Sequence, residues 1–406
     1  KGKKVPESLL EIFAQNPEYS AKLDSLINAK DKVPFKIFDK KNAEKLFGKN
    51  LNISASQLEK FNLCRFSYFC NYGFSNHMQD GKIVHYILER FFGEYTKEEY
   101  LSLEEDKLQK IVCAYLAEYA VKYFGEEQLE SNSFTYRLKT ILDNVMHLMK
   151  HIMEELSQSE FFVADCELKI GEDIPSYTIV LPAGHKIAVC GSVDRVDIMQ
   201  RADITYLRII DYKTGTKQFK LSDILYGINL QMLLYLHSIE ASGGDKYGEI
   251  VPAGILYMPA TVPYISSDSL KSIDKLPDEL NKKLKMNGLL LKDTEIIHGM
   301  DKTDVATYIP VKIKAGEPVS STSLATLAEF GKIFKKVDML IAEMGKNIYN
   351  GNIEAKPLKG GHDSCEYCPY DSVCAYRQSN PITCFSVDNK TVIEEITNEI
   401  NGKEEE

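Results

Sequence analysis

The stretch from Val189 to Gly215, VCGSVDRVDIMQRADITYLRIIDYKTG, limits the possible structure more than any other part of the chain. Its apolar, β-branched run (YLRII) leads into Asp211 and Lys213, which predicts a buried strand. Side chains alternate along a strand, so Asp211 and Lys213 point to the same face. A preceding strand over residues 186–193 delivers Asp194, and the polar connection between the strands predicts a hairpin that places Asp194 beside Asp211.

Two carboxylates next to a lysine ammonium are the groups that metal-dependent phosphodiester hydrolysis needs. Asp194 and Asp211 would hold Mg²⁺ or Mn²⁺ through hard oxygen ligands. Lys213 would orient the attacking water or neutralise phosphoryl oxygens in the transition state. The alternative is a surface salt bridge on an ordinary β-hairpin, because the short pattern Asp-x-Lys is frequent by chance.

Two further polar residues could belong to a site or have an ordinary structural role. The segment Gly81–Phe92 predicts an amphipathic helix, with His85 and Glu89 four residues apart on a face next to the apolar stripe. Residues 161–170 predict a strand that carries Glu167. The alternatives are a hydrogen-bonded core histidine and a solvated glutamate on the face of a strand.

A buried helix is predicted after Lys213, beginning at Ser222 or Asp223 and ending near Ile239. It is apolar nearly all round, which is typical of a core helix. Gln231 and Tyr235 are the polar exceptions, four residues apart on one face. Buried polar groups need partners, so these two side chains either line a site or are satisfied inside the core.

Composition sets outer limits on the class of protein. The chain has 406 residues and a net charge of −10, which suits a soluble protein of up to three domains and argues against a non-specific DNA-coating protein. No run of 18 apolar residues exists, so no transmembrane helix is expected. The start, Lys1-Gly2-Lys3-Lys4, lacks an apolar segment and an initiating Met, which indicates a fragment of a longer protein rather than a signal peptide.

Three of the nine cysteines, Cys365, Cys368 and Cys374, form a C-x2-C-x5-C pattern that predicts a metal site. Zinc would need a fourth Cys or His ligand, for which His362 is a local candidate. A [4Fe–4S] cluster would need a fourth cysteine. Spacing alone does not separate the two. Cysteines outside the site, including Cys70, are expected to behave as small core hydrophobes.

The order of segments predicts one large domain. Residues 1–50 read as a linker or the edge of a preceding helicase-like domain, 51–380 as the main domain, and 381–406 as an acidic tail that is a short helix or disordered. Within the main domain a helical cover is expected over about 95–160 and the core over about 161–260, followed by a loop-rich stretch over 259–320. A helix opens near Ser54 or Ser56, either of which can be its N-cap.

The polar residues form known motifs. Gly-x-x-Asp194-Arg-x-Asp followed by Ile-Asp211-Tyr-Lys213-Thr-Gly resembles the nuclease motif of the PD-(D/E)xK superfamily, in its RecB-like branch. His85 and the Gln231-x-x-x-Tyr235 pair match two further motifs of that branch. From Ser54 to Arg377, about four fifths of the chain, the motif order is similar to the C-terminal nuclease domain of AddB-type helicase–nuclease subunits. Arg65 stands where that family usually has Pro.

The resemblance implies a restriction-endonuclease-like α/β fold, a mixed sheet flanked by helices, with an iron–sulfur cluster that joins the N- and C-terminal parts as a staple. It assigns catalysis to Asp194, Asp211, Lys213, Gln231 and Tyr235. It assigns the divalent metal to His85, Glu167, Asp194, Asp211 and the Tyr212 carbonyl. It assigns the [4Fe–4S] cluster to Cys64, Cys365, Cys368 and Cys374.

The function implied is that of a bacterial, cytoplasmic, Mg²⁺-dependent DNA exonuclease or endonuclease. It would work with an AddA-type subunit in a heterodimer that processes double-strand breaks for recombination. The chain has no Gly-x-x-x-x-Gly-Lys-[Ser/Thr] motif, so it carries no Walker A site of its own. Two rivals are a shorter, stand-alone iron–sulfur nuclease of CRISPR adaptation and a catalytically dead DNA-binding scaffold. The intact acids, Lys213 and His85 argue against the scaffold.

Overall fold

The computed structural model describes residues 36–37, 39–47, 50–72, 83–124, 132–213, 218–260, 276–320, 322–361, 363–370, 374 and 381–404. The helices are α1 Lys40–Phe47, α2 Ala55–Leu63, α3 Arg65–Tyr72, α4 Ile83–Glu94, α5 Lys97–Leu101, α6 Glu105–Phe124, α7 Asn132–Ser157, α8 Gln231–Ser242, α9 Gly244–Tyr247, α10 Leu276–Leu284, α11 Thr294–Met300, α12 Leu327–Tyr349 and α13 Asn389–Glu404. The strands are β1 Asn50–Ile53, β2 Phe162–Ile170, β3 Thr178–Val180, β4 Lys186–Val189, β5 Gly191–Arg201, β6 Ile204–Lys213, β7 Glu249–Pro259, β8 Asn287–Leu291, β9 Lys312–Lys314, β10 Glu317–Val319, β11 Leu324–Ala325, β12 Leu358–Gly360 and β13 Ile382–Cys384.

A six-stranded mixed sheet in the order β11-β8-β7-β6-β5-β2 organises the fold. The β6–β7 and β8–β11 pairs are parallel and the remaining pairs are antiparallel. Residues of β6 and β7 are buried on both faces, as expected for central strands covered by helices. Helix α8 packs on β6 and β7, and α4 packs on β2. The predicted α/β class with a mixed sheet flanked by helices is confirmed.

The hairpin predicted around Asp194 and Asp211 is present as β5 and β6. The strand predicted over residues 186–193 is instead divided between β4, which lies in a separate sheet, and β5, which carries Asp194. The strands pair from Arg195↔Ile210 to Arg201↔Ile204. The connection was predicted over residues 199–204 and is shorter, since only Ala202 and Asp203 lie between the strands. Ala202 has a φ of 51°, the left-handed conformation that such tight hairpin turns require.

Two further predictions of secondary structure need correction. The stretch 259–320 contains α10, β8, α11, β9 and β10, and β8 belongs to the central sheet. Its sequence, NGLLL, is too short for periodicity to identify a strand. The buried helix begins at Gln231 rather than near Ser222, because a 3₁₀ turn over Leu221–Tyr226 ends at Gly227 with a φ of 69°. Asn229 follows with a φ of 55°.

The contacts divide the chain into two units, each built from separate segments. The larger unit, residues 50–59, 77–343 and 385–406, holds the six-stranded sheet and a second sheet in the order β1-β4-β3. In this unit α13 buries Val392 and Ile396. The acidic tail therefore contains a 16-residue helix.

The smaller unit comprises residues 1–49, 60–76 and 344–384. Its described part contains α1, α3 and the parallel strand pair β12–β13. Tyr68 is 2% exposed and packs between Phe47 and Phe61, with ring centroids 5.9 and 5.6 Å away.

None of the described helices is both long enough and apolar enough to span a membrane.

Candidate active site

Asp194 and Asp211 lie beside each other where β5 and β6 pair. The register ends at Arg195↔Ile210, so the next positions along, Asp194 and Asp211, are cross-strand neighbours. Asp194 Oδ2 accepts a hydrogen bond from the Tyr212 backbone N–H at 3.0 Å. The side chains of Asp194 and Asp211 are 12% and 4% exposed. The strands thus hold two nearly buried carboxylates at one end of the sheet.

Helix α4 and strand β2 bring His85 and Glu167 to these acids. His85 Nδ1 lies 2.7 Å from Glu167 Oε1 and 3.6 Å from Asp194 Oδ1. The three side chains each offer one ligand atom within 4.8 Å of the others. Ser192 Oγ donates to the second Glu167 oxygen at 2.8 Å. His85 and Glu167 are therefore part of the acid cluster rather than isolated core or surface residues.

Glu167 has an unusual backbone conformation. Its φ is 51°, although the neighbouring pairs Cys166↔Arg195 and Leu168↔Val193 follow the regular antiparallel register. A left-handed φ in a non-glycine residue costs free energy and is enriched at functional sites. The strain falls on the residue whose carboxylate meets His85, and nothing in the strand sequence predicts it.

The cluster carries more negative charge than its surroundings neutralise. Burial raises the pKa of Asp194 to about 7, and the nearby Asp211 carboxylate adds to this effect. The pKa of His85 is raised by its hydrogen bond to Glu167, against the opposing effect of burial. Three carboxylates around one imidazole would gain from a cation between them. The donor set of oxygens and one nitrogen fits a hard divalent ion such as Mg²⁺ or Mn²⁺.

The other predicted residues lie around Asp211. Lys213 Nζ is 2.5 Å from Asp211 Oδ2, and its side chain is 27% exposed. Gln231 Nε2 donates to Asp211 Oδ1 at 3.3 Å. Tyr235 is buried one helical turn further on, and a Cβ at Gly191 would lie 2.2 Å from its hydroxyl. Glycine at 191 is therefore required for Tyr235 to reach the start of β5.

One residue near the site was missed by the sequence interpretation. Glu59 Oε1, on α2, accepts a hydrogen bond from the Gln231 backbone N–H at 3.3 Å. This carboxylate caps the start of α8, where backbone N–H groups lack partners within the helix. The sequence interpretation did not find this contact, since no local pattern reveals a contact across 172 positions.

The opposite face of β5 carries a buried ionic network. Arg195 binds Asp197 through Nε at 2.6 Å and Nη2 at 2.7 Å. Arg208 on β6 binds Asp197 at 2.8 Å, and both arginines bind Glu155 of α7. All four side chains are fully buried, so removing one partner would leave an uncompensated charge. The Arg-x-Asp that follows Asp194 in the sequence motif therefore fixes β5, β6 and α7 together.

His237 lies on α8 and connects this helix to α12. His237 Nε2 lies 3.1 Å from Asp338 Oδ1 on α12, and Nδ1 lies 3.6 Å from Glu240 Oε2. Tyr177 Oη donates to the same Asp338 oxygen at 2.9 Å. Burial alone would lower the pKa of His237, but the two carboxylates raise it to about 9.

We expect His237→Gln to make stability less dependent on pH. Because the pKa is raised in the folded state, the histidine contributes stability that is fully present below about pH 6.5 and lost as the pH rises through about 9. The difference in free energy of unfolding between the parent and the variant should be on the order of 2 kcal/mol at low pH, shrink as the pH rises from about 6.5 to 9, and be small above pH 9. Melting temperatures between pH 6 and 10 would measure it, with the exposed His147→Gln as control. A difference that is the same at every pH would contradict the assignment.

The predicted cluster cysteines lie in the smaller unit. Cys64 stands between α2 and α3, and the turn with Cys365 and Cys368 is attached to it by Ser364 Oγ, which donates to the Leu63 carbonyl at 3.0 Å. The pKa of Cys365 is raised by burial, with smaller contributions from Cys64 and Cys368.

Cys70 is a fifth thiol in this neighbourhood, where the sequence interpretation had expected a core hydrophobe. Its pKa is raised by burial first and then by Cys374, Cys368 and Cys64. It lies on α3, six residues after Cys64, and its side chain is only partly buried.

Comparison with known proteins identifies the family. A family model described as the PD-(D/E)XK nuclease superfamily matches residues 52–375. The chain is 34% identical over 397 residues to the B subunit of the ATP-dependent helicase/deoxyribonuclease of Clostridium kluyveri (strain NBRC 12016), a match that covers 91% of this chain and 34% of that protein. It is 34% identical over 354 residues to the corresponding protein of Thermoanaerobacter sp. (strain X514), covering 82% and 30%.

A third relative, the corresponding protein of Ruminiclostridium cellulolyticum, is 31% identical over 398 residues, covering 92% of this chain and 34% of that protein. The chain thus spans about one third of the length of these relatives. Since the family match covers most of the chain, including every residue of the acid cluster, the chain belongs to the PD-(D/E)XK nuclease superfamily.

Proposed function

We propose that this chain is the nuclease part of a helicase–nuclease subunit and hydrolyses DNA phosphodiester bonds with Mg²⁺ or Mn²⁺. The observation that carries the proposal is the cluster of His85, Glu167 and Asp194, joined by Asp211 and Lys213 on the neighbouring strand. The similarity to B subunits of ATP-dependent helicase/deoxyribonucleases supports DNA as the substrate.

His85, Glu167, Asp194, Asp211 and the Tyr212 carbonyl would hold the cation. Once bound, the cation would lower the pKa of a coordinated water and offset charge on the scissile phosphate. Lys213 lies where its ammonium can orient the water or neutralise a phosphoryl oxygen. Gln231 holds Asp211 through its amide. Tyr235 adds a hydroxyl on the same helix, at the edge of the proposed DNA path.

The partners follow from the same similarity. An AddA-type subunit would supply the helicase motor in a heterodimer, and the complex would process double-strand breaks for recombinational repair in the bacterial cytoplasm. The rivals make different predictions: a stand-alone nuclease would cleave efficiently without a partner, and a dead scaffold would bind DNA without cleaving it.

The cysteine set supports a [4Fe–4S] cluster bound by Cys64, Cys365, Cys368 and Cys374. Cys64, Cys368 and Cys374 lie close enough to Cys70 to raise the pKa of its thiol, so these cysteines occupy one neighbourhood. A [4Fe–4S] cluster would take four such thiolates. Its proposed role is to staple the two ends of the nuclease domain.

The test is cleavage of end-labelled linear DNA with Mg²⁺, with EDTA, and by an Asp211→Ala variant. We expect cleavage by the parent chain with Mg²⁺ only, and a rate lower by about a thousandfold or more in the variant, because several kcal/mol of transition-state stabilisation are lost. Equal cleavage by both proteins would reject the assignment of Asp211. If neither protein cleaves, the measurement is repeated with an added AddA-type subunit, and continued inactivity would support the scaffold.

A further inference from the structure

A groove on the larger unit concentrates positive charge in a chain whose net charge is −10. It encloses about 570 Å³. We call it the lysine groove, and its walls include Lys282, Lys285, Lys312, Lys314, Met286 and Val319.

Two of the lysines are presented by the short hairpin of β9 and β10. Lys312 and Lys314 are exposed and two residues apart on β9, so their side chains share one face. The residue opposite Lys314 is Glu317, but its carboxylate accepts a hydrogen bond from Thr294 Oγ1 at 2.7 Å. Within the part of the chain that the structure describes, neither Lys312 nor Lys314 forms an ion pair. Their charges are therefore available to a ligand.

Lys285 is fixed at the base of the groove. Its Nζ donates to the carbonyls of Ala306 at 2.6 Å and Val311 at 2.9 Å. Burial lowers its pKa, and of the two nearby charges Asp301 opposes this while Lys312 adds to it. Lys285 and Lys312 thus repel each other across the groove, and an anion between them would offset the repulsion.

The sheet places the groove close to the acid cluster. Asp211 pairs with Tyr257 on β7, and Tyr257 pairs with Asn287 on β8. Neighbouring strands are about 4.8 Å apart, so Asn287 lies about 10 Å from Asp211 along the same row of the sheet. Lys285 and Met286 of the groove come directly before Asn287. A DNA strand that ran from Asp211 across the sheet in this direction would reach the lysines of the groove next.

We propose that the lysine groove binds the phosphate backbone of the DNA whose scissile bond lies at Asp211. The inference rests on the proposed nuclease function. Lysines that do not contact bases give binding that is independent of sequence and sensitive to salt. The contribution proposed for the groove is to position the DNA strand.

The test is binding of a fluorescent DNA duplex with a single-stranded overhang to the full chain in EDTA, between 50 and 200 mM salt. Lys312→Gln with Lys314→Gln removes two phosphate contacts. On duplex DNA this should make the slope of log affinity against log salt shallower by about 1.8, so the parent loses about twelvefold more affinity than the variant over that range. Lys107→Gln with Lys110→Gln, on the exposed face of α6, makes the same change in net charge elsewhere and should leave the slope unchanged.

The outcomes separate the groove from the nuclease function. An unchanged slope and affinity in the Lys312/Lys314 variant, with normal folding by circular dichroism, would overturn the groove assignment even if the parent cleaves DNA. Loss of DNA binding in the variant, with a parent that binds DNA but does not cleave it in Mg²⁺ even with an added AddA-type subunit, would support the groove and reject the nuclease function. If the variant keeps DNA binding but loses binding to a polyglutamate peptide, the groove serves an acidic protein segment and the proposal is wrong.

Discussion

Replacing Asp194 with asparagine is expected to abolish DNA hydrolysis while making the metal-free protein more stable. Asp194 is nearly buried and lies beside Asp211, and its pKa is raised to about 7 because burial and the neighbouring charge both disfavour the ionised form. Asparagine keeps an oxygen that can accept the Tyr212 N–H hydrogen bond. It removes the buried charge and, with it, an oxygen ligand of the proposed cation.

The cleavage rate and the stability of the metal-free protein are expected to change in opposite directions. Cleavage should fall by about a thousandfold or more, because several kcal/mol of transition-state stabilisation depend on the cation. The melting temperature in EDTA at pH 8 should rise by several °C, because the variant lacks the carboxylate whose pKa is raised to about 7 in the folded parent. Adding Mg²⁺ should then stabilise the parent, by mass action on the folded state, and have little effect on the variant.

Asp203→Asn is the matched control, because Asp203 is an exposed acid in the turn of the same hairpin. It should change neither the cleavage rate nor the response to Mg²⁺. A variant at Asp194 that cleaves at the parental rate would remove this residue from the metal site. A lower melting temperature in EDTA would show that attraction to His85 outweighs the repulsion from Asp211.

The sequence was most informative where chemistry and periodicity coincide. The alternation in Asp211-Tyr-Lys213 and the apolar runs beside it predicted both the strands and the side that carries the acids, and the register places Asp194 next to Asp211 as expected. Gln231 and Tyr235 were identified because polar side chains in an apolar helix need partners. The partner of the Gln231 amide is Asp211, which accepts its hydrogen bond.

What the sequence did not reveal depends on contacts between distant segments. Glu59 reaches α8 across 172 positions, and Cys70 lies near Cys374 only through the folding of the smaller unit. Strand β8 was overlooked because five residues carry too little periodicity to separate a strand from a loop. The lysine groove likewise combines α10 with the β9–β10 hairpin, which lie some 30 residues apart and look like unrelated polar loops in sequence.

Replacing Cys374 with serine should remove the proposed iron–sulfur cluster and strongly destabilise the smaller unit. Cys64 is about 300 residues from the other three cysteines in sequence, so the fold alone must bring them together at a cost in chain entropy. Thiolate–iron bonds that form only in the folded state offset this cost and couple cluster binding to folding. The acids of the candidate active site belong to the other unit. Loss of the cluster should therefore act through structure and not through the chemistry of cleavage.

The measurements are iron content, colour and melting temperature after purification without oxygen. The parent should be brown with about four irons per chain, and Cys374→Ser should be colourless with a melting temperature lower by at least about 5 °C. Cys70→Ser is the local control, because Cys70 lies near the same thiols but is not among the four proposed ligands, so it should keep its iron. Iron lost from the Cys70 variant but retained by the Cys374 variant would show that Cys70, and not Cys374, is a ligand of the cluster. A colourless, folded and active parent with one bound zinc would show that the zinc alternative is right and that the assignment of an iron–sulfur cluster is wrong.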